Sequence, residues 1–209
     1  MQIISLVGFA DAGKSTAANI LTQHGFVSMS YADSIKDCLS AIFGWDRDLL
    51  EGITPESRIF RETVDQWWAK NLGIPNFTPR FAMKNFGTDV MRNHFHKDIW
   101  VLNVQYRLHK MGNEKVVFGD VRHLNEITMS SDLGGLLIRI RRGDDPIWFE
   151  TAKLANAGNV DAKRLMTDVY QIHETEMQWI GTDFDYVVEN NGSVDDLSSK
   201  ILAIKQIWI

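Results

Sequence analysis

Directly after the apolar run Ile3-Ile4-Ser5-Leu6-Val7 stands Gly8-Phe9-Ala10-Asp11-Ala12-Gly13-Lys14-Ser15, a complete G-x-x-x-x-G-K-[ST] pattern. Glycines at both ends let the backbone curl until successive N–H groups point inward, and such a curl cradles phosphate oxygens where a strand hands over to a helix N-terminus. The helix is present in the sequence: Ala17, Ile20 and Leu21 recur at i, i+3, i+4, and Gly25 closes the run. In that setting Lys14 reaches the β and γ phosphates of a nucleoside triphosphate as a mobile point charge, and the Ser15 hydroxyl ligates a bridging magnesium ion. A glycine-rich turn that binds nothing is the alternative.

At 209 residues and 44% hydrophobic content the chain buries one substantial core and is barely long enough for two, so a single domain over 1–209 with insertions is expected. A net charge of −5 argues against a broad nucleic-acid surface, which needs clustered Lys and Arg. No apolar run is long enough to cross a membrane, and the N-terminus enters a strand without a leader-like stretch, so no membrane partner and a cytoplasmic location are expected. The single cysteine, Cys38, excludes an internal disulfide and falls on the apolar face of a helical pattern, where a core position is expected. Core or rim packing accounts for most of the seven tryptophans.

Beyond the first strand, short apolar runs at 26–30, 116–118, 136–140 and 186–188 alternate with helical patterns. That alternation predicts an α/β fold with a parallel sheet covered on both faces. Residues 32–112 hold no strand signal but four helical stretches. In the first, Ile35, Cys38, Leu39, Ile42 and Phe43 form one apolar face before Gly44. Thr54-Pro55 and Thr78-Pro79 have the form of an N-cap followed by proline at the first helical position, with Gly73 and Gly112 as stops. A second insertion, 141–172, opens with Arg141-Arg142-Gly143-Asp144-Asp145-Pro146 and carries scattered basic residues; it suits a mobile lid or a plain helical hairpin. The last helix has Val194, Leu197, Ile201, Ile204 and Trp208 on its apolar face.

Val116-Val117-Phe118-Gly119-Asp120 puts a carboxylate at the end of an apolar strand, where parallel sheets place their ligands. Asp120 is the candidate magnesium partner, or else a turn residue capping the next helix. Arg122 is a candidate clamp for an acceptor phosphate, through the bidentate reach of a guanidinium, or a surface ion pair. Asp33 and Lys36 in Tyr31-Ala32-Asp33-Ser34-Ile35-Lys36 follow the second strand, and Asp33 is either a helix cap or a substrate contact. Asp33 also separates two chemistries. A hydroxyl acceptor needs a carboxylate to take its proton, whereas a monophosphate acceptor is already a nucleophilic dianion and needs none.

Taken in order, the loop at 8–15, Ala32-Asp33-Ser34-Ile35-Lys36-Asp37, Asn85-Phe86-Gly87-Thr88-Asp89, Gly119-Asp120-Val121-Arg122-His123-Leu124-Asn125-Glu126, His173-Glu174-Thr175-Glu176 and Glu189-Asn190-Asn191-Gly192-Ser193 resemble the phage-type deoxynucleoside monophosphate kinases. The resemblance spans nearly the whole chain. It implies a P-loop kinase fold with a five-stranded parallel core, a monophosphate-binding helical insertion at 32–112, an arginine-bearing lid at 141–172, and transfer of the γ-phosphoryl of ATP to a deoxynucleotide with Mg2+. It further implies that Gly8, Ala10, Asp11, Ala12, Gly13, Lys14, Ser15, Thr16, Asn191 and Gly192 hold ATP, and that Ser15 and Asp120 hold the metal. By the same resemblance Asp33, Lys36, Arg80, Gly87, Thr88, Asp89, Arg122, Asn125 and Glu126 meet the acceptor, and Lys14, Arg122, Arg141 and Arg142 act on the transferring phosphoryl. His173 is open between a phosphate contact and a polar network.

The partners expected on this reading are two small molecules; a homodimer and a monomer are equally open, as is the base accepted. The competing readings are a hydroxyl kinase of the dephospho-coenzyme A kinase type, with Asp33 as base, and a non-kinase P-loop NTPase. Against a guanine switch, the chain has no Asn-Lys-x-Asp motif, and Asp132-Leu133-Gly134-Gly135 ends a helical pattern.

Overall fold

The computed structural model describes every residue except Asn113 and Ile209, together with all side chains but those of Glu174 and Thr175 within the described elements. It divides into two compact units, residues 1–30 with 111–209, and residues 31–110.

The first unit is built on five parallel strands: β1 (Gln2–Val7), β2 (Val27–Met29), β3 (Lys115–Phe118), β4 (Leu136–Arg141) and β5 (Tyr186–Glu189). Their order across the sheet is β2-β3-β1-β4-β5. β1, β3 and β4 are nearly continuous buried runs, as strands covered on both faces must be, while β2 at one edge is exposed at two of its three residues. All five expected strands are present, and the parallel α/β fold is as the alternation of apolar runs indicated.

Helix α1 (Lys14–Thr22) packs Ala17, Ala18, Ile20 and Leu21 into a core with Ile4, Leu6, Val117, Ile138 and Val188. Leu197, Ile201 and Ile204 of the C-terminal helix close that core with Trp208 packed against it, whereas Val194, at the start of that helix, is exposed; each fully buried aliphatic side chain contributes about 1.5–3 kcal/mol. Among the described residues, no helix is long and apolar enough to cross a membrane.

Register explains why this sheet has a chemically useful edge. β1 lies between β3 and β4, with Ser5 opposite Phe118 and Val7 opposite Arg139, so the chain leaves the centre of the sheet in both directions. The crevice outside the strand ends at such a switch point is where open parallel sheets bind ligands. Gly8, Asp120, Arg141 and Asn190 all stand at those C-terminal ends.

The second unit is helical: α2 (Asp33–Phe43), α3 (Pro55–Glu62), α4 (Gln66–Leu72), α5 (Pro79–Lys84) and α6 (Ile99–Met111, to residue 110), with a single 3-10 turn at Asp48–Leu50 and a π-helical stretch at Asn85–Phe95. It therefore holds more helices than the four expected, because helices of six to eight residues separated by breaks of three to six residues blur into one another in a periodicity reading. Thr54 and Thr78 cap α3 and α5 as expected, with Pro at the first turn of each, and Gly44 and Gly73 end α2 and α4. Its own core gathers Leu39, Trp45, Leu50, Ala69, Phe77 and Ala82. Cys38 is not part of that core: it is exposed, as is Ile42, because α2 buries only a narrow strip through Lys36 and Leu39.

Candidate active site

The phosphate loop has the backbone its glycines were needed for. Gly8 (φ 148) runs so close to the Ile140 carbonyl that a Cβ has no room, and Gly13 (φ 104) faces the Asn190 carboxamide in the same way. Asp11 adopts the left-handed conformation (φ 58) that an Asp tolerates better than most residues. The loop ends as Gly13 caps α1, so the free amides of the first helical turn, at Lys14, Ser15 and Thr16, belong to the loop.

Lys14 Nζ donates to the carbonyls of Gly8 (2.9 Å) and Phe9 (2.6 Å). Burial, helped by the repulsion of Arg122, pulls its ammonium from 10.5 down to about 8, against the opposing pull of Glu176, Asp11 and Asp120. A cation strained in this way gains from an incoming polyphosphate, which returns the electrostatic stabilisation that burial removed.

Asp120 follows β3 and accepts a hydrogen bond from Ser30 Oγ, which fixes its carboxylate at the strand end. Ser15 is exposed at the first turn of α1. One hydroxyl and one carboxylate suit Mg2+, which keeps several waters and takes its other ligands from phosphate oxygens. The described residues hold no cluster of three or more His, Cys, Asp or Glu side chains fit for an all-protein metal cage.

Arg122 is half exposed and pairs with Glu176 at 3.2 Å. Its place is set from behind: Glu126, 2% exposed on helix α7 (Leu124–Asp132), accepts the backbone N–H groups of Arg122 (2.9 Å) and His123 (3.1 Å). The structure thus gives Glu126 the task of holding the turn that presents Arg122. His123 is bound to Gln178 (2.9 Å), and Asn125 lies in the first turn of α7.

β4 ends in Arg141, which pairs with Glu189 (3.2 Å) and Asp145 (3.4 Å). Arg142 beside it is exposed. A cavity of about 330 Å3 opens against the phosphate loop, lined by Phe9, Ala10, Asp11, Ala12, Ile140, Arg141, Arg142 and Asp145. The turn after β5 is tied to the same place: Asn190 Nδ2 donates to the Ala12 carbonyl (2.8 Å), the Asn190 amide donates to Arg141 (2.7 Å), and Asn191 Oδ1 accepts from Gly143 N–H (2.7 Å). Gly192 sits against Asp196, which caps the last helix, α11 (Val194–Trp208), through Ser193. The segment after β4 folds as two helices, α8 (Phe149–Asn156) and α9 (Val160–Asp168), followed by the short α10 (Glu174–Met177). His173 precedes α10, and the side chains of Glu174 and Thr175 lie outside the described residues.

In the second unit, Asp33 is the first residue of α2; the cap position belongs to Ala32 and no side chain fills it, so Asp33 is not a cap. Its carboxylate instead draws three cations: Arg107 to Oδ2 at 3.1 Å, and Arg47 (3.6 Å) and Lys36 (3.9 Å) to Oδ1. Lys36 is 7% exposed and donates to Glu51 (2.5 Å). Burial alone would push the Glu51 carboxyl up, but hydrogen bonds from Lys36 and Arg47 hold it below the ordinary range. Ser34 is bound to Asn103 (2.8 Å), one turn before Arg107 on α6. Arg80 forms an exposed ion pair with Glu62. Gly87, in the π-helical stretch, accepts from Trp100 Nε1 (2.8 Å) and has Ile35 where a Cβ would go, which makes it a packing glycine; Thr88 and Asp89 beside it are half-buried.

The structure thus groups Lys14, Asp120, Arg122, Arg141, Arg142 and Asn191 around the strand ends of one unit, and Asp33 and Lys36 in the other, apart from Arg80 on its surface. Residues to which the motifs gave no role are Asn190, matched only as the neighbour of Asn191; Phe9, at a position the phosphate loop leaves free; Asp145, in the turn after β4; and Arg47 and Arg107, distant in sequence from Asp33.

No protein-family model matches the chain. It is 28% identical over 215 residues, 97% of its own length and 95% of the relative's, to an Acanthamoeba polyphaga mimivirus protein named "Putative deoxynucleotide monophosphate kinase". Among solved structures it is similar to TT1252 from Thermus thermophilus, with a TM-score of 0.46 and 18% identity over 99% of this chain and 97% of that one. It is also similar to dephospho-CoA kinase from Campylobacter jejuni, with a TM-score of 0.43 and 15% identity over 99% and 97%. The chain is a P-loop α/β protein by its own strand order and loop geometry.

Proposed function

We propose that this protein is an ATP-dependent kinase that transfers the γ-phosphoryl group to the phosphate of a deoxynucleoside monophosphate. The phosphate loop, with Lys14 strained by burial, supports the donor half of this reading. The neighbouring cavity, bounded by Ala10, Asp11, Ala12 and the arginines at the end of β4, is large enough for a nucleoside and supports ATP as donor. Asn191 and Gly192 complete that side.

The observation that carries the acceptor half is the state of Asp33. Both of its oxygens are turned to cations, Oδ2 to Arg107 and Oδ1 to Arg47 and Lys36. A carboxylate engaged in that way is poorly placed to take a proton from a hydroxyl, and a phosphate dianion does not need one taken. The 28% identity to a protein named for deoxynucleotide monophosphates supports the same choice.

The mechanism is positioning. Loop amides and Lys14 hold the triphosphate; Ser15 and Asp120 would hold Mg2+, which would supply charge neutralisation to the donor phosphates. Arg122, presented by Glu126 and flanked by Asn125, aligns the acceptor phosphate in line. Arg141 and Arg142 neutralise charge on the moving phosphoryl, and the α8–α9 hairpin acts as the lid that keeps water out. In the second unit Asp33 and Lys36, with Thr88, Asp89 and more distantly Arg80, are the acceptor-binding residues, and Gly87 lets their stretch pack against Ile35. Asp33→Asn tests the assignment: the nucleotide kinase keeps activity within about tenfold of wild type with a raised acceptor KM, whereas loss of about 10³-fold or more in kcat makes Asp33 a base and the acceptor a hydroxyl.

A further inference from the structure

Phosphate binding asks nothing of the side chain at the second position of the loop, because backbone amides make the cradle. Here that position is Phe9, and its ring lies in edge-to-face contact with Trp179 (4.8 Å between centroids, 65°), Trp148 (5.5 Å, 87°) and Phe149 (6.2 Å, 72°). We infer that Phe9 is a positioning residue, which ties the carbonyl that Lys14 rests on to the base of the α8–α9 hairpin.

Two walls of the box, Phe149 and Trp179, are held by contacts of their own besides Phe9. Trp148 and Phe149 begin α8, and Trp179 is 2% exposed and packs on Phe184 (6.2 Å) and Phe149 (6.2 Å). The Arg139 guanidinium lies 4.7 Å from the Phe149 centroid and 5.1 Å from that of Trp179, and Asp145 pairs with it. Arg139 is itself a buried residue of β4, so the box is anchored in the sheet. Edge-to-face pairs hold a preferred geometry, and a cation over two ring faces stiffens them further.

The same residue's carbonyl accepts the 2.6 Å hydrogen bond of Lys14. A triphosphate that draws Lys14 away releases that carbonyl, and the Phe9 peptide cannot shift without moving its ring among Trp148, Phe149 and Trp179. Conversely, a movement of the hairpin base carries the ring and hence the loop. Loading of the loop and the posture of the hairpin are therefore linked through one side chain that touches no phosphate.

This inference rests on the ATP site proposed above, and binding measured without any acceptor separates the two. ATP–Mg is titrated into wild type, Phe9→Ala, Phe9→Leu and Phe9→Tyr by calorimetry and by tryptophan fluorescence, with a Trp148→Phe/Trp179→Phe protein to assign the signal. Wild type is expected to bind with a fluorescence change that disappears in the double variant. Phe9→Ala is expected to bind about tenfold more weakly, with the change lost and the acceptor KM within about twofold of wild type. Phe9→Tyr is expected to restore both binding and signal. If Phe9→Leu, which fills most of the volume without a ring, binds and responds as wild type does, the linkage is overturned even if Phe9→Ala fails to fold. If wild type binds no ATP–Mg, the ATP site falls and the inference with it; if wild type binds and no Phe9 variant differs, only the inference falls.

Discussion

The buried ammonium of Lys14 makes ATP affinity and protein stability respond to pH in opposite directions. Burial and Arg122 lower its pKa from 10.5 to about 8 in the ligand-free protein, and only the charged form attracts phosphates. ATP–Mg affinity should therefore be nearly constant below about pH 7, fall about tenfold between pH 7 and 9, and then fall about tenfold per further unit. Phosphate itself loses its last proton near about pH 6, so the donor's charge does not change over this range.

The stability of the ligand-free protein follows the opposite course. Between about 8 and 10.5 the unfolded chain holds a proton on this lysine that the folded chain has lost, so stability rises with pH across that window, by up to about 3 kcal/mol for a shift of this size. Below about 8 both states are charged and the penalty for burying the charge is present in full. The assay is a pair of series from pH 6.5 to 10, calorimetric affinity and thermal midpoint, on wild type and Lys14→Met. Lys14→Met should bind ATP weakly at every pH, and its midpoint, set against that of wild type, should show the wild-type gain above pH 8. A wild-type affinity that stays flat to pH 9.5, or a wild-type midpoint that tracks Lys14→Met through the window, refutes the argument that Lys14 is electrostatically strained.

Asp120→Asn should lower kcat by about 10²-fold and raise the Mg2+ concentration needed for half-maximal rate, with the far-ultraviolet circular dichroism spectrum unchanged; a magnesium titration checks it. Asn190→Ala removes the amide that donates to Ala12 at 2.8 Å beside Gly13, and should lower stability by about 1 kcal/mol and raise the KM for ATP more than that for the acceptor, read by thermal melts and two-substrate kinetics.

What the sequence made legible follows from where its physics is local. β1, β3 and β4 are nearly continuous apolar runs because both faces of the sheet are covered, and the loop from Gly8 to Ser15 is readable because phosphate binding dictates glycines, lysine and hydroxyl at fixed spacing. Thr54-Pro55 and Thr78-Pro79 were equally plain, since a cap and a first-turn proline act within four residues. The rest depends on tertiary approach. Cys38 has the spacing of a core residue, but α2 buries too narrow a face to include it. Asp33 reads as a cap until Arg107, 74 residues away, is seen beside it. Glu126 reads as a ligand until its carboxylate is found on the amides of Arg122 and His123. Phe9 carries no motif signal and Asn190 stands in a matching segment with no role of its own, because their meaning lies in Trp148, Trp179 and Ala12, which only the folded chain brings to them.

The central claim is that this site moves a phosphoryl group from ATP to a deoxynucleotide. It is tested most directly by ADP production from ATP–Mg with each deoxy- and ribonucleoside monophosphate in turn, dephospho-coenzyme A alongside, and Lys14→Ala as the blank. The account predicts rapid turnover with one or a few deoxynucleoside monophosphates, little without an acceptor, and none in the blank. Turnover with dephospho-coenzyme A alone, or hydrolysis that no acceptor changes, would contradict it.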